Sequence, residues 1–347
     1  MLNWGIIGAG GIARVFCNGL QFAKTGQLNA IASRTPGKSD ALADLFDCKK
    51  RYDSYEALLA DDEIDAVYVS TIHPAHPEPV IAAAKAGKHI LVEKPIAMNA
   101  DEAETMIAAA KEHDVFLMEA FMYRCHPQIA KLVELIQAGE IGDVLMIRST
   151  FGYHSTFNTE SRAYNKELGG GGILDVGCYP ASMSRLMAGA AAGKPFLDPV
   201  EVKASGFVGP TGVDHYAAAT LKFENNIVAE IITGVGCNVP ASAIAYGSEG
   251  ILSVPNPWLP SSPCRTAQEA LPLDTEFPSS YLHLQKRGQS DPIEIEVKVD
   301  RDLFSYEADM VGEHVAARQA PVVQWDDSLG NMRLLDRWLS DVGVTYD

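Results

Sequence analysis

Apolar residues fall in short blocks through the first third of the chain, and the blocks alternate with stretches of a longer period. Leu2–Ile7, Leu28–Ser33, Ala66–Val69, His89–Val92 and Phe116–Glu119 are nearly continuous apolar runs. Runs of this length, bounded by glycine and polar residues, predict strands buried on both faces. Between them, Ile12–Leu20, Ser39–Phe46, Pro79–Ala86 and Ala100–His113 carry apolar residues at helical spacing. Asn99 stands where an N-cap would, and Pro77 and Pro79 suit a first helical turn. Strand–helix alternation implies right-handed crossover units and a parallel sheet.

The pattern changes near Phe121. Pro127–Ala138 predicts a helix, Val144–Phe151 a strand, and a glycine run follows at Gly169–Gly172. Tyr216–Phe223 and Ile227–Thr233 alternate in the manner of adjacent antiparallel strands, with Glu224-Asn225-Asn226 as the turn. Ser242–Tyr246, Ile251–Val254 and Ile293–Val299 read as further strands, Tyr306–Arg318 and Leu329–Val342 as helices. Pro255–Pro278, rich in Pro and Ser, predicts an irregular segment. The expected architecture is α/β over residues 1–121, followed by an α+β domain over 122–347 on a mostly antiparallel sheet. The last helix is expected to pack back on the first domain.

A chain of 347 residues is long enough for two cores, and 47% hydrophobic with 21% charged residues is ordinary globular composition. The formal charge of -17, with no run of Lys and Arg, excludes nucleic acid as a partner. No apolar run approaches the roughly 20 residues that span a bilayer, so no membrane partner is expected either. Leu2–Ile7 reads directly as a strand, which leaves no secretory leader. The six cysteines are scattered without a C-x-x-C pair. Neither a metal site nor a disulfide framework is expected, and free thiols suit a cytoplasmic location.

Candidate chemistry begins at Gly8-Ala9-Gly10-Gly11-Ile12-Ala13, a G-x-G-x-x-A pattern between the first strand and the first helix. Such glycines let a pyrophosphate approach backbone N–H groups at the positive end of a helix, which makes the first unit a Rossmann domain. The second strand ends at Ser33 and Arg34, where an NAD-binding protein usually carries an acidic residue. A hydroxyl and a guanidinium suit the 2′-phosphate of NADP, with Lys38 as a further charge, so NADP is favoured over NAD. Arg34 as a plain solvated cation is the alternative.

Glu93-Lys94-Pro95 follows the fifth strand at the carboxyl rim of the sheet, where open α/β folds bind ligands. Lys94 could polarise a substrate oxygen beside the nicotinamide. Asp175 and Tyr179 stand four residues apart, so they would share one face of a helix. Asp175 as an N-cap and Tyr179 as a core aromatic are the competing readings. Thr71, His73 and His76 lie on the loop after the fourth strand, facing the same rim.

Five segments together resemble the glucose-fructose oxidoreductase/inositol dehydrogenase/rhizopine-catabolism family over nearly the whole chain. They are Gly8–Ala13, Ser70–His76, Gly87–Pro95, Glu119–Arg124 and Gly169–Tyr179. Within the family the chain is most similar to the subgroup of dimeric dihydrodiol dehydrogenases and NADP-dependent D-xylose 1-dehydrogenases. The resemblance implies an open-faced second sheet that often forms a dimer contact, and Lys94 as the catalytic lysine. It also implies cofactor or substrate contacts at His73 and His76. Much of the family has histidine at position 179; tyrosine is shared with the dihydrodiol and glucose-fructose subgroup. Met122 stands where some dihydrodiol enzymes carry tryptophan, which weighs against an aromatic substrate.

The chemistry expected is hydride transfer between NADP and a carbohydrate or diol. A tyrosine of pKa about 10 is a poor base near neutrality, and Lys94 is expected to lower that of Tyr179, with Asp175 orienting the lysine or the substrate. Tyr153, Arg162 and Trp258 are candidates for contact with the substrate. A glycosidase that retains its nicotinamide, a non-catalytic cofactor-binding regulator, and a reductase of a ketose or dicarbonyl are the competing functions.

Overall fold

The computed structural model describes residues 1–346. The first unit runs β1 (Leu2–Ile7), α1 (Gly11–Leu20), β2 (Gly26–Ala32), α2 (Lys38–Leu45), β3 (Lys50–Tyr52), α3 (Tyr55–Leu59), β4 (Ala66–Val69), α4 (Pro77–Lys85), β5 (His89–Glu93), α5 (Ala100–Glu112) and β6 (Leu117–Ala120). All six strands are parallel, in the order β3-β2-β1-β4-β5-β6. β4 and β6 are buried along their whole length, as continuous apolar strands under helices must be. The strand order reverses between β1 and β4, and the crevice beyond their carboxyl ends is the place where such sheets take ligands. Ser70 closes it from below, its N–H donating to the Ile7 carbonyl at 2.9 Å.

The second unit runs α6 (Pro127–Gln137), β7 (Val144–His154), α7 (Cys178–Ala191), β8 (Glu201–Val208), β9 (Asp214–Lys222), β10 (Val228–Gly234), β11 (Gly236–Gly247), β12 (Gly250–Val254), β13 (Ser280–Lys286), β14 (Ile293–Val297), α8 (Leu303–His314) and α9 (Trp325–Val342). Its eight strands lie in the order β14-β13-β12-β11-β7-β10-β9-β8. Every neighbouring pair is antiparallel except β7 with β10. α7, buried from Cys178 to Ala190, packs on β7 and β10, and α9 packs on β8. β9 alternates buried and exposed positions, as a strand with one wet face does. Met146, Val228, Tyr216 and Phe207 remain exposed on the open side.

α9 also reaches the first sheet. The Trp325 indole N–H donates to the Leu117 carbonyl at 3.0 Å, and the Asp336 carboxylate accepts from Ala100 N at 2.9 Å. Among the described residues no helix is long and apolar enough to cross a membrane.

Most expected elements lie within a few residues of those observed, with informative exceptions; β11 starts at Gly236, six residues before the expected Ser242. β3 and α3 are too short to show a period. β8 is a largely exposed edge strand of polar and small residues, and β13 does alternate, burying Ser280, Leu282 and Leu284, but with only two aliphatic residues on the buried face. β7 continues past Phe151 to His154. α8 starts at Leu303 rather than Tyr306, because the Asp302 carboxylate caps it by accepting from Phe304 N at 2.9 Å. Between Gly172 and α7 the chain makes a wide i→i+5 helical turn over Ile173–Gly177, a distortion that recurs at functional sites. Pro255–Pro278 is irregular apart from one turn at Pro263–Arg265.

Candidate active site

β1 delivers the glycine turn to the crevice. Gly8 has φ +95°, and a Cβ there would lie 3.1 Å from the Ser70 hydroxyl, so the turn itself requires glycine. Gly10 and Gly11 differ: a Cβ on either would meet no protein atom within 4 Å. Their bareness is not demanded by packing. Both open onto a cavity of about 630 Å³. Bare backbone at the start of α1, facing open space, fits a dinucleotide pyrophosphate. Ala13 is buried beneath, on the inner face of α1.

The cavity runs from Gly10, Gly11 and Ile12 past Thr71, His73 and Glu93 to Lys94, Tyr153, Arg162, Asp175 and Tyr179. Lys94, whose bond to Pro95 is cis, comes from the end of β5, while Asp175 comes from the wide turn ahead of α7. The Lys94 ammonium donates to the Asp175 main-chain carbonyl at 2.7 Å and lies 3.8 Å from its carboxylate. That carboxylate also accepts from Arg162 Nη2 at 2.7 Å and from the Tyr153 hydroxyl at 2.6 Å. Burial alone would raise the Asp175 carboxyl, but Lys94 and Arg162 outweigh it and hold the group well below the usual range. Asp175 is therefore the anionic centre of the cluster and not a helix cap.

His73 is buried with Nε2 3.4 Å from Arg162 Nη1, and burial pushes its imidazole well below the ordinary value, so it is neutral. Glu93, beneath the same floor, accepts from the Tyr68 hydroxyl and from Lys94 N at 3.2 Å. Burial raises its carboxyl. Among the described residues no cluster of His, Cys, Asp and Glu could hold a metal.

Tyr179 departs from expectation. The Lys94 ammonium lies over the face of its ring, 5.2 Å from the centroid, rather than at the hydroxyl. Phe121, Phe151 and Trp258 pack around the ring with centroids 5.6, 5.2 and 5.6 Å away. Burial, and next the Glu93 carboxylate, push the phenol well above its usual pKa, not below it. The hydroxyl has the Met122 sulfur at 3.7 Å.

Two further expectations, for Trp258 and His76, are corrected. Trp258 does not line the cavity: it stacks behind Phe151 at 5.7 Å, and its indole N–H is taken by the Thr150 carbonyl at 3.1 Å. His76 is fully buried, and both ring nitrogens lie within 3.1 Å of the carbonyls of Thr71, Pro95 and Ile96, so it braces the loops around Lys94. Arg34 is neither free nor in the cavity. It pairs with Glu78 at 2.7 Å and Glu56 at 3.1 Å, and its guanidinium lies over Tyr55 at 4.3 Å. Ser33 beside it is buried, its hydroxyl accepting from Thr35 N at 3.1 Å, and Lys38 is exposed at the start of α2.

The cavity also takes residues that local sequence did not mark. Phe151, Leu259, Arg265 and Phe304 line it, three of them from segments far along the chain. Arg265 sits in the irregular Pro/Ser-rich segment, where no periodicity fixes its direction.

A glycine-turn crevice at the reversal of a parallel sheet, opening onto a lysine, an aspartate and a tyrosine, defines a dinucleotide-dependent oxidoreductase. The chain belongs to the oxidoreductase family with an NAD-binding Rossmann fold: that model matches residues 2–121, and the GFO/IDH/MocA C-terminal domain matches residues 129–253. It is 33% identical to trans-1,2-dihydrobenzene-1,2-diol dehydrogenase of Xenopus tropicalis over 99% of both chains. It is 39% identical to D-xylose 1-dehydrogenase (NADP(+)) 2 of Haloferax volcanii over 54% of this chain and 58% of that one. Its fold matches the aldose-aldose oxidoreductase of Caulobacter crescentus with a TM-score of 0.83 at 23% identity, covering 99% and 97% of the two chains.

Proposed function

We propose that the protein is an NADP-dependent dehydrogenase of a sugar-like polyol, acting on an aldopyranose at C1 or on a trans-dihydrodiol. The observation that carries this reading is the convergence of Lys94, Asp175 and Tyr179 on the cavity that also opens on Gly10 and Gly11. When bound, the nicotinamide supplies the hydride acceptor. Lys94 and Tyr179 flank the position of the reacting oxygen, while Asp175 fixes Lys94, Tyr153 and Arg162 around it. The names of both relatives are in keeping with these substrates.

The NADP preference rests on the name of the xylose dehydrogenase relative and on Ser33 and Arg34 at the end of β2. Arg34 has two carboxylate partners, but all three side chains are exposed, and surface pairs of this kind are weak and screened by salt. A 2′-phosphate can replace them at small cost. The raised phenol of Tyr179 favours a second reading, reduction of a ketose or dicarbonyl, because a protonated phenol donates to a developing alkoxide.

The reading takes the enzyme as a cytoplasmic homodimer divided near Phe121, joined through the open face that carries Met146, Val228, Tyr216 and Phe207. Its test is absorbance at the reduced-nicotinamide band with a panel of aldoses, polyols and dihydrodiols, NADP and NAD in parallel. Reduction of NADP with an aldose or dihydrodiol, faster than NAD, is the expected result. Silence with every alcohol but turnover of NADPH with a ketose or dicarbonyl would replace oxidation with reduction.

A further inference from the structure

The Pro/Ser-rich segment of the second unit returns to α1 and runs along it. Leu271 N donates to Asn18 Oδ1 at 2.8 Å, and Asn18 Nδ2 donates to the Glu269 carbonyl at 3.2 Å. Gln268 Oε1 then accepts from Arg14 at 2.8 Å, one helical turn nearer the start of α1. Lower residue numbers in the segment thus meet earlier residues of the helix. Three residues before Gln268, the turn that ends in Arg265 also contacts α1, and Arg265 lines the same cavity as Gly10 and Gly11. Cys264, fully buried, anchors the approach, its N–H donating to the Asp302 carboxylate at 3.3 Å.

The other cations of this region are engaged: Lys94 and Arg162 with Asp175, Arg14 with Gln268, Arg34 with Glu56 and Glu78. Among the described residues the Arg265 guanidinium has no hydrogen-bond or ion-pair partner. Its charge is felt by the Glu93 carboxylate and the Tyr179 phenol across the cavity, but its planar fork of donors is free of hydrogen bonds. Such a fork, in a cavity that also opens on bare helix-start backbone, suits a phosphate group.

We propose that Arg265 holds the pyrophosphate of the dinucleotide against the start of α1, with residues 263–271 as the strap that carries it there. This rests on the reading that a nicotinamide dinucleotide occupies the crevice. It assigns to the second domain a part in cofactor affinity, beyond its share of the substrate site.

The test is equilibrium binding, by fluorescence quenching or calorimetry, of NADP+, NAD+, ADP-ribose and 2′-AMP to the full chain and to Arg265→Gln. The first three ligands share the pyrophosphate; the last lacks it. The variant is expected to weaken all three by a common factor, about 10- to 100-fold for one charge-assisted contact, and to leave 2′-AMP unchanged. Arg265→Lys should recover part of the loss. Unchanged binding of all four, with KM for the polyol raised instead, would move Arg265 to the substrate and overturn the clamp. Wild-type protein that binds none of the four would remove the dinucleotide reading itself, and the clamp with it. Arg265 is exposed, so a folded variant is expected and a melting curve verifies it.

Discussion

Among the described residues the Tyr179 hydroxyl has only the Met122 sulfur as a hydrogen-bond partner, so Tyr179→Phe should remove chemistry and little else. The expected variant loses most turnover, while cofactor affinity and melting temperature stay near wild type. A near wild-type rate would take tyrosine out of the reaction. Its phenol, raised by burial, stays protonated through neutral pH. In the reducing direction, where the phenol donates, kcat/KM should be flat between about pH 6 and 8. In the oxidising direction, where phenolate is needed, kcat/KM should climb with pH across that range. An oxidative plateau near neutrality would mean that Lys94 does depress the phenol once the cofactor is in place. Asp175→Asn is the structural counterpart: Lys94 and Arg162 lose their counter-charge, which should cost about 2 kcal/mol in denaturant unfolding as well as activity.

At the scale of elements, the glycine turn separates folding from binding. Gly8→Ala puts a side chain at φ +95° against Ser70 and should destabilise by about 1–2 kcal/mol. Gly10→Ala meets no protein atom, so its melting temperature should stay close to wild type while NADP affinity falls. Loss of stability at Gly10, or unchanged affinity, would argue that the turn does not cradle a phosphate. This turn was legible in the sequence because strand, glycines and helix are contiguous. So were Lys94, at a strand end, and Asp175 with Tyr179, one turn apart. The environment of Tyr179 was not, because Phe121, Phe151 and Trp258 meet it from three separate segments. Nor was Arg265, whose direction depends on where an irregular segment is pinned to α1. His76 looked like a ligand from its loop, and only the fold discloses that three carbonyls consume it.

For the molecule as a whole, two buried carboxyls contribute to the dependence of stability on pH. Asp214, whose carboxylate accepts from Ile173 N at 2.9 Å ahead of α7, is raised by burial to about 7. Glu119, which accepts from Ile96 N at 2.9 Å, is likewise raised to about 7. Unfolded, both titrate near 4, so between about pH 4 and 7 the folded chain binds more protons than the unfolded one. Their contribution is therefore present below that window and is lost as pH rises through it. The buried histidines His73, His76 and His126, pushed down by burial, act in the opposite sense over the same range, so the contribution of Asp214 is read by difference. The unfolding free energy of wild type relative to Asp214→Asn should decline from pH 5 to 8 in chemical denaturation. Identical slopes for the two proteins would show that Asp214 titrates normally.

The Lys94 ammonium joins the two domains through the carbonyl of residue 175, not through its carboxylate alone. A main-chain acceptor is present whatever amino acid the gene encodes there. Genetic drift at codon 175 can therefore retune the acidity of the reaction centre without unlatching the lysine. Loss of the lysine, or of the wide turn that aims the carbonyl, removes the main-chain half of the latch, and loss of the carboxylate weakens the other half.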